Sequence, residues 1–157
     1  MELIGKPTIN PFFFYTGKIS GYSTWIYLFY SLYDKHFTSC SDLKLNHIIA
    51  IFTITAGLLF TVISMLNLGK STRLGLPSGE TELKTGGIYK ISRNPMYVGF
   101  NLFTITAMIF TLNIFIFLMG MYSIIVYHLI IRNEENFLIS RFGVDYENYM
   151  KKVRRYI

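Results

Sequence analysis

The sequence predicts an all-α, polytopic helical membrane protein of about four transmembrane helices, folded as a single membrane domain over residues 1–157. Three observations carry this expectation. Hydrophobic residues make up 52% of the chain and aromatics 17%, with a positive mean hydropathy, which is more apolar than an ordinary soluble domain of this size. Two long stretches lack any formal charge. The basic residues, which give a net charge of +6, are spread between apolar blocks and do not interleave with aromatics on one surface as a nucleic-acid-binding patch would.

The clearest span lies between Lys44 and Lys70, whose 25 intervening residues are centred on IIAIFTITAGLLFTVISML. They exceed the ~20 residues needed to cross a bilayer as a helix. From Asn94 to Ile131 a further 38 residues carry no formal charge. As one helix these would run roughly 57 Å, nearly twice the ~30 Å hydrocarbon core. The expected solution is a hairpin of two spans turning at Thr111–Asn113, where an asparagine is tolerated at the membrane surface. Residues 12–33 are aromatic-rich but include Gly17 and Lys18, and they read as a tilted first span, with an interfacial helix as the alternative.

Charge placement orients these spans. Lys6 and Lys18 precede or open the first, five basic residues lie in 69–95 and six in 132–157, leaving only Lys35 and Lys44 for the opposite side. The positive-inside rule then puts both termini and the 69–95 connector in the cytoplasm, with loop 34–46 and the Thr111–Asn113 turn outside. No repeat or linker marks a second domain; residues 1–68 form the N-terminal spans and 69–157 the region richest in unusual residues. The N-terminus lacks the pattern of a cleaved signal peptide, and the lone Cys40 excludes an intramolecular disulfide or a cysteine-based zinc site.

The stretch GGIYKISRNPMYVGF, residues 86–100, opens the hairpin. Asn is a preferred N-cap and Pro a favoured first helical residue, because its missing N–H would be unpaired anyway, so Asn94-Pro95 predicts a helix start at the cytoplasmic surface. Free backbone N–H groups and Arg93 make that start hospitable to a carboxylate or phosphate, although a capped span with a snorkelling arginine explains the same residues. Tyr97, Asn101 and Thr104 recur at i, i+4 and i+7 as a polar stripe, and Gly99 allows a neighbouring helix to approach closely.

At the other end of the hairpin, His128, Arg132 and Glu135 share one helical face, and Tyr127, Ile131 and Glu134 the adjacent one. Two consecutive carboxylates at a membrane exit are costly unless paired or hydrated, which makes them functional candidates; a solvated helix end balanced by Arg132 and Arg141 is the competing explanation. Because the hairpin returns to the side it left, Glu134 is expected near the Arg93-Asn94 helix start. A carboxylate, a helix N-terminus and tyrosines in one place suit a zwitterionic ligand. His36, His47 and His128 are too scattered to suggest a metal, and no P-loop, dinucleotide fingerprint, zincin or hydrolase motif is present.

These pieces, in this order, resemble the integral membrane methyltransferases that include isoprenylcysteine carboxyl methyltransferase and the phospholipid N-methyltransferases. The family pattern is Leu-x-Thr-x-Gly-x-Tyr, then R-H-P-x-Y-x-G opening a helix, a hydrophobic hairpin, an acidic pair and F-G-x-x-Y-x-x-Y. Here LKTGGIY stands at 83–89, RNPMYVG at 93–99, EENFL at 134–138 and FGVDYENY at 142–149. The resemblance covers about residues 69–157, and the N-terminal spans carry none of it.

The resemblance implies an enzyme that binds S-adenosylmethionine at the cytoplasmic face and methylates, on oxygen or nitrogen, a lipid-like or prenylated acceptor entering from the bilayer, with no metal. Carried over by position, the cofactor would meet the connector at Thr81, Glu82, Leu83, Lys84 and Tyr89, and the helix start at Asn94, Pro95, Met96 and Tyr97. Glu134 would hold its ammonium group. The family's substrate-side arginine has no counterpart at its own spacing, where Ile130 stands; Arg132, two residues further on, with Arg93, would orient an anionic acceptor. Asn94 stands where the family pattern often has His, so a proton-transfer role at that position does not carry over. A membrane NAD(P)H-dependent sterol or steroid reductase, which shares the R-x-P-x-Y-x-G opening, is the alternative enzyme, and a non-enzymatic membrane scaffold the alternative without chemistry.

Overall fold

The computed structural model describes residues 7–36, 45–68 and 83–157, and within these it is helical with no strand. The described helices are α1 (Pro11–His36), α2 (Leu45–Leu68), α3 (Pro95–Thr111), α4 (Ile114–Phe142) and the short α5 (Val144–Lys152), with a 3₁₀ turn over Gly87–Lys90 ahead of α3. Cys40 and the connector positions Thr81 and Glu82 lie outside the described residues.

Helices α2 and α4 are long and apolar enough to cross a membrane, and α3 is a shorter apolar helix of 17 residues. Their outward faces are apolar: Phe52, Leu58 and Leu66 on α2, and Phe115 and Leu118 on α4, are more than half exposed. In water such a surface would be a liability, whereas lipid removes the cost. Helix α1 extends for 26 residues and its aromatic face is equally exposed at Phe12, Phe29 and Tyr30. Lys18 on α1 is nonetheless nearly buried, its ammonium 3.9 Å from the centroid of the Phe14 ring, where the ring's negative face stabilises a cation.

The hairpin turns where the charge-free length required. Helix α3 ends at Thr111, Leu112 takes a left-handed conformation with φ 49°, and Asn113 caps α4 by accepting from the backbone N–H of Phe115 at 2.9 Å and of Ile116 at 3.3 Å. Inside the bundle α3 packs between α2 and the α1/α4 pair. At the α2–α3 crossing Gly57 and Gly99 face each other: a Cβ on Gly99 would come within 2.8 Å of the Gly57 carbonyl oxygen. Hydroxyls then bridge helices, Thr53 to Thr106 at 2.8 Å and the Trp25 indole N–H to Thr104 at 3.0 Å. Such pairing satisfies polar groups where no water is at hand.

Candidate functional site

The connector into α3 is held from both sides. Gly87, at φ +59°, takes a conformation that disfavours any other side chain, and abuts the Asn67 side chain at the end of α2, which would have to shift to admit a Cβ. Two residues on, Tyr89 is buried, its hydroxyl 3.0 Å from Ser64 on α2 and its carbonyl accepting from the Tyr149 hydroxyl at 2.5 Å. Burial disfavours the phenolate and raises the pKa of both phenols, that of Tyr149 to about 12, and pushes Tyr146 up further. Tyr89, expected to line the cofactor, thus has its hydroxyl engaged with α2.

Below it the C-terminal segment runs alongside the connector. The Arg93 backbone N–H donates to the Arg154 carbonyl at 3.0 Å, and the Ser92 hydroxyl to the Arg155 carbonyl at 3.2 Å. Arg93 turns its side chain inward: Nη2 lies 3.0 Å and Nε 3.1 Å from Glu135 Oε1, and Nη1 donates to the Met150 carbonyl at 3.3 Å. Arg155 meets the other oxygen of the same carboxylate at 2.8 Å. The Asn94 carboxamide N–H donates to Glu135 Oε1 at 3.0 Å and to the Arg155 carbonyl at 3.3 Å. Glu135, 2% exposed, is therefore saturated by two guanidinium groups and an amide.

This differs from expectation at two positions. Asn94 occupies the N-cap position and Pro95 opens α3, but the Asn94 side chain does not cap the helix; the buried carboxylate of Glu135 draws its N–H away, and the fixed φ of Pro95 sets the entry instead. Arg93 is locked in the Glu135 cluster with its side chain 7% exposed, so it positions the α3 start and does not present a cation outward.

The neighbouring Glu134, about 100° further round α4, points elsewhere. It is half-buried, and one carboxylate oxygen accepts from the Tyr97 hydroxyl at 2.8 Å; the ammonium of Lys18 on α1 attracts it from across the bundle. Tyr97 also packs on Phe100 and Tyr127, with ring centroids 6.1 and 5.7 Å away. Met96 and Pro95 complete the first turn of α3 beside it, Pro95 buried and Met96 half-buried. Leu83 and Lys84 lie half-buried in the irregular stretch leading to the 3₁₀ turn, and Arg132 is on the exposed side of α4.

The fold thus brings Glu134, Tyr97 and the α3 N-terminus together, and draws Arg93, Asn94 and Tyr89 into a scaffold beside them. Sequence reasoning missed Glu135 as the centre of that scaffold, and missed Arg155 and Tyr156, whose hydroxyl lies 2.7 Å from His128 Nδ1. The available signal was the i, i+7 relation of His128 to Glu135 together with the unused RRY run at 154–156.

The hairpin of this apolar helical bundle thus brings a carboxylate and tyrosines against a proline-led helix start. The chain belongs to the phospholipid methyltransferase family, whose model matches residues 45–145, and it is a membrane methyltransferase. The match takes in α2 as well as the motif-bearing hairpin, further upstream than the motifs alone indicated. No curated protein and no solved structure matches the chain.

Proposed function

We propose that the chain transfers a methyl group from S-adenosylmethionine to a lipid-like acceptor at the cytoplasmic membrane surface, with α1 to α4 as four spans and both termini cytoplasmic. The observation that carries this reading is the division of the acidic pair. Glu135 is neutralised by Arg93 and Arg155, whereas Glu134, with a single hydroxyl donor from Tyr97, keeps acceptor capacity beside a helix start.

The residues present suit an amino-acid-bearing sulfonium. Glu134 offers an anion for an ammonium group, and the backbone N–H groups of Met96 and Tyr97 open α3 without intrahelical partners and can receive a carboxylate. The Tyr97 and Tyr127 rings offer faces that favour a cation. When bound, S-adenosylmethionine supplies an activated methyl carbon whose leaving group departs as a neutral thioether. What the protein contributes is alignment and exclusion of water: the Glu135 cluster fixes the α3 start, α3 carries Tyr97, and Tyr97 orients Glu134. Leu83 and Lys84 would meet the adenosine side. Arg132, exposed at the membrane exit of α4, would receive an anionic group of the acceptor.

Thermal shift of the detergent-solubilised protein tests the reading directly. S-adenosylhomocysteine is expected to stabilise it and NADPH to have no effect; stabilisation by NADPH alone sinks the proposal. Incubation of membranes with methyl-labelled S-adenosylmethionine, followed by base treatment, then separates ester from N-methyl products.

A further inference from the structure

A second charge faces Glu134: the ammonium of Lys18, contributed by α1 from upstream of the residues that carry the family likeness. We infer that Lys18 binds the cofactor, its ammonium receiving the carboxylate of the amino-acid end while Glu134 receives the amino group, so that two helices read both charges of one zwitterion. Lys18 has this role only within the methyltransferase reading above, to which it adds a residue and a specificity for ligands that keep their carboxylate.

Lys18 is only 9% exposed, yet among the described residues no carboxylate lies within 4 Å of its ammonium and nothing accepts a hydrogen bond from it. What it meets is the face of the Phe14 ring, 3.9 Å away at the centroid. A ring face offsets only part of the cost of taking an ammonium out of water, and an ionisable group within a span is a functional candidate for that reason.

The side chain is also aimed at the site. Helical side chains lean toward the start of their own helix, and Lys18 lies back over Phe14, one turn earlier. Helices α1 and α4 run antiparallel: Thr16 meets the Tyr122 hydroxyl at 2.7 Å and Ser20, further along α1, donates to the earlier Met119 carbonyl at 2.9 Å. Leaning toward the start of α1 is therefore leaning toward the end of α4, where Glu134 stands. Phe14 is wholly buried against Val126, Tyr127 and Ile130, and Tyr97, the hydroxyl partner of Glu134, packs on that same cluster. Lys18 and the Tyr97–Glu134 pair thus border one patch of side chains. The backbone that carries Lys18 is close against α4 on either side of it: a Cβ on Gly17 would stand 2.3 Å from Val126 Cγ1, and one on Gly21 2.5 Å from Ser123 Oγ.

Away from bulk water, a full charge opposite each ligand charge counts for more than it would in solution. The backbone N–H groups at the α3 start give the carboxylate hydrogen bonds, and Lys18 gives it a counter-charge. The same pair penalises a ligand that carries one charge alone. An amine without a carboxylate brings a second cation toward Lys18 and leaves the attraction that Lys18 offers unused.

The test is isothermal titration of the full chain, in phosphatidylcholine nanodiscs, with S-adenosylhomocysteine and with its decarboxylated analogue, which keeps the adenosine, thioether and amine. The wild type should bind S-adenosylhomocysteine about tenfold or more tightly than the analogue, as one charge-assisted contact predicts. Lys18→Met should abolish that preference, weakening S-adenosylhomocysteine by about tenfold while leaving the analogue bound no more weakly than before. Equal affinity of the wild type for both ligands would overturn the role of Lys18, and so would a preference unchanged in Lys18→Met. A variant that weakens both ligands alike, as a merely structural loss would, also overturns it. Should Lys18→Met fail to fold, Lys18→Gln, polar but uncharged, takes its place under the same criteria. Absence of any S-adenosylhomocysteine binding to the wild type would instead remove the methyltransferase reading on which the role depends.

Discussion

Arg155 approaches Glu135 with Nε and Nη2, each 2.8 Å from Oε2, while Arg93 takes the other oxygen from the start of α3. One carboxylate thereby ties together three parts of the chain far apart in sequence. Because the Arg93 and Glu135 side chains are almost wholly out of solvent, the pair is valuable mainly in that neither partner tolerates loss of the other.

Glu135→Ala is accordingly expected to destabilise the protein by about 3–5 kcal/mol, the cost of leaving buried guanidinium charge uncompensated. Unfolding in mild detergent, followed by circular dichroism against a denaturing-detergent titration, measures this. A loss below about 1 kcal/mol would contradict the closed cluster described for Glu135.

Glu134→Gln should behave in the opposite manner. The Tyr97 hydroxyl can still donate to the amide oxygen, so the fold should be little affected, while affinity for S-adenosylhomocysteine falls by about tenfold or more, as expected for one charge-assisted hydrogen bond. Isothermal titration on both variants separates the roles. Equal effects on binding and stability at the two positions would refute the division of the pair.

At the helix crossing, Gly99→Val should cost about 1–3 kcal/mol by overpacking against the Gly57 carbonyl. The useful control is Gly143→Ala, where a Cβ meets nothing within 4 Å and only the positive φ of 51° opposes it. An unfolding midpoint unchanged by Gly99→Val would show that the α2–α3 approach is looser than the backbone geometry implies.

Alkaline pH should loosen the connector. Tyr149 holds its proton to about pH 12 in the folded chain because burial opposes the phenolate, against about 10 for an exposed phenol. The folded state thus binds more protons in that window, and stability that is complete below pH 10 is lost progressively between about pH 10 and 12. Tyr149→Phe should flatten the pH dependence of unfolding in this range and cost about 1 kcal/mol at neutral pH through the lost bond to the Tyr89 carbonyl. An unchanged slope would mean other groups control it.

Much of the architecture could be read directly from residue pattern. The charge-free runs located α2 and the hairpin, the turn falls at Thr111–Asn113 and Pro95 opens a helix where expected, and the acidic pair does return to the α3 N-terminus. What escaped was the partnering of adjacent side chains. Glu134 and Glu135 differ by one step of helical rotation, and nothing local says which faces Tyr97 and which faces the arginines; the neighbours decide, and they come from α1, α3 and the C-terminal segment. Asn94 illustrates the same limit, since its local preference for capping is overridden by a buried carboxylate 41 residues away in sequence. Arg155 and Tyr156 read as part of a generic basic tail because their partners lie one helix hairpin earlier.

The Gly57–Gly99 crossing has a further consequence for traffic through the enzyme. With α3 seated backbone against backbone on α2, parting these two helices would break their closest contact. An opening that admits one reactant or releases another would disturb this crossing least if it came from elements outside it, α1 with Lys18 among them.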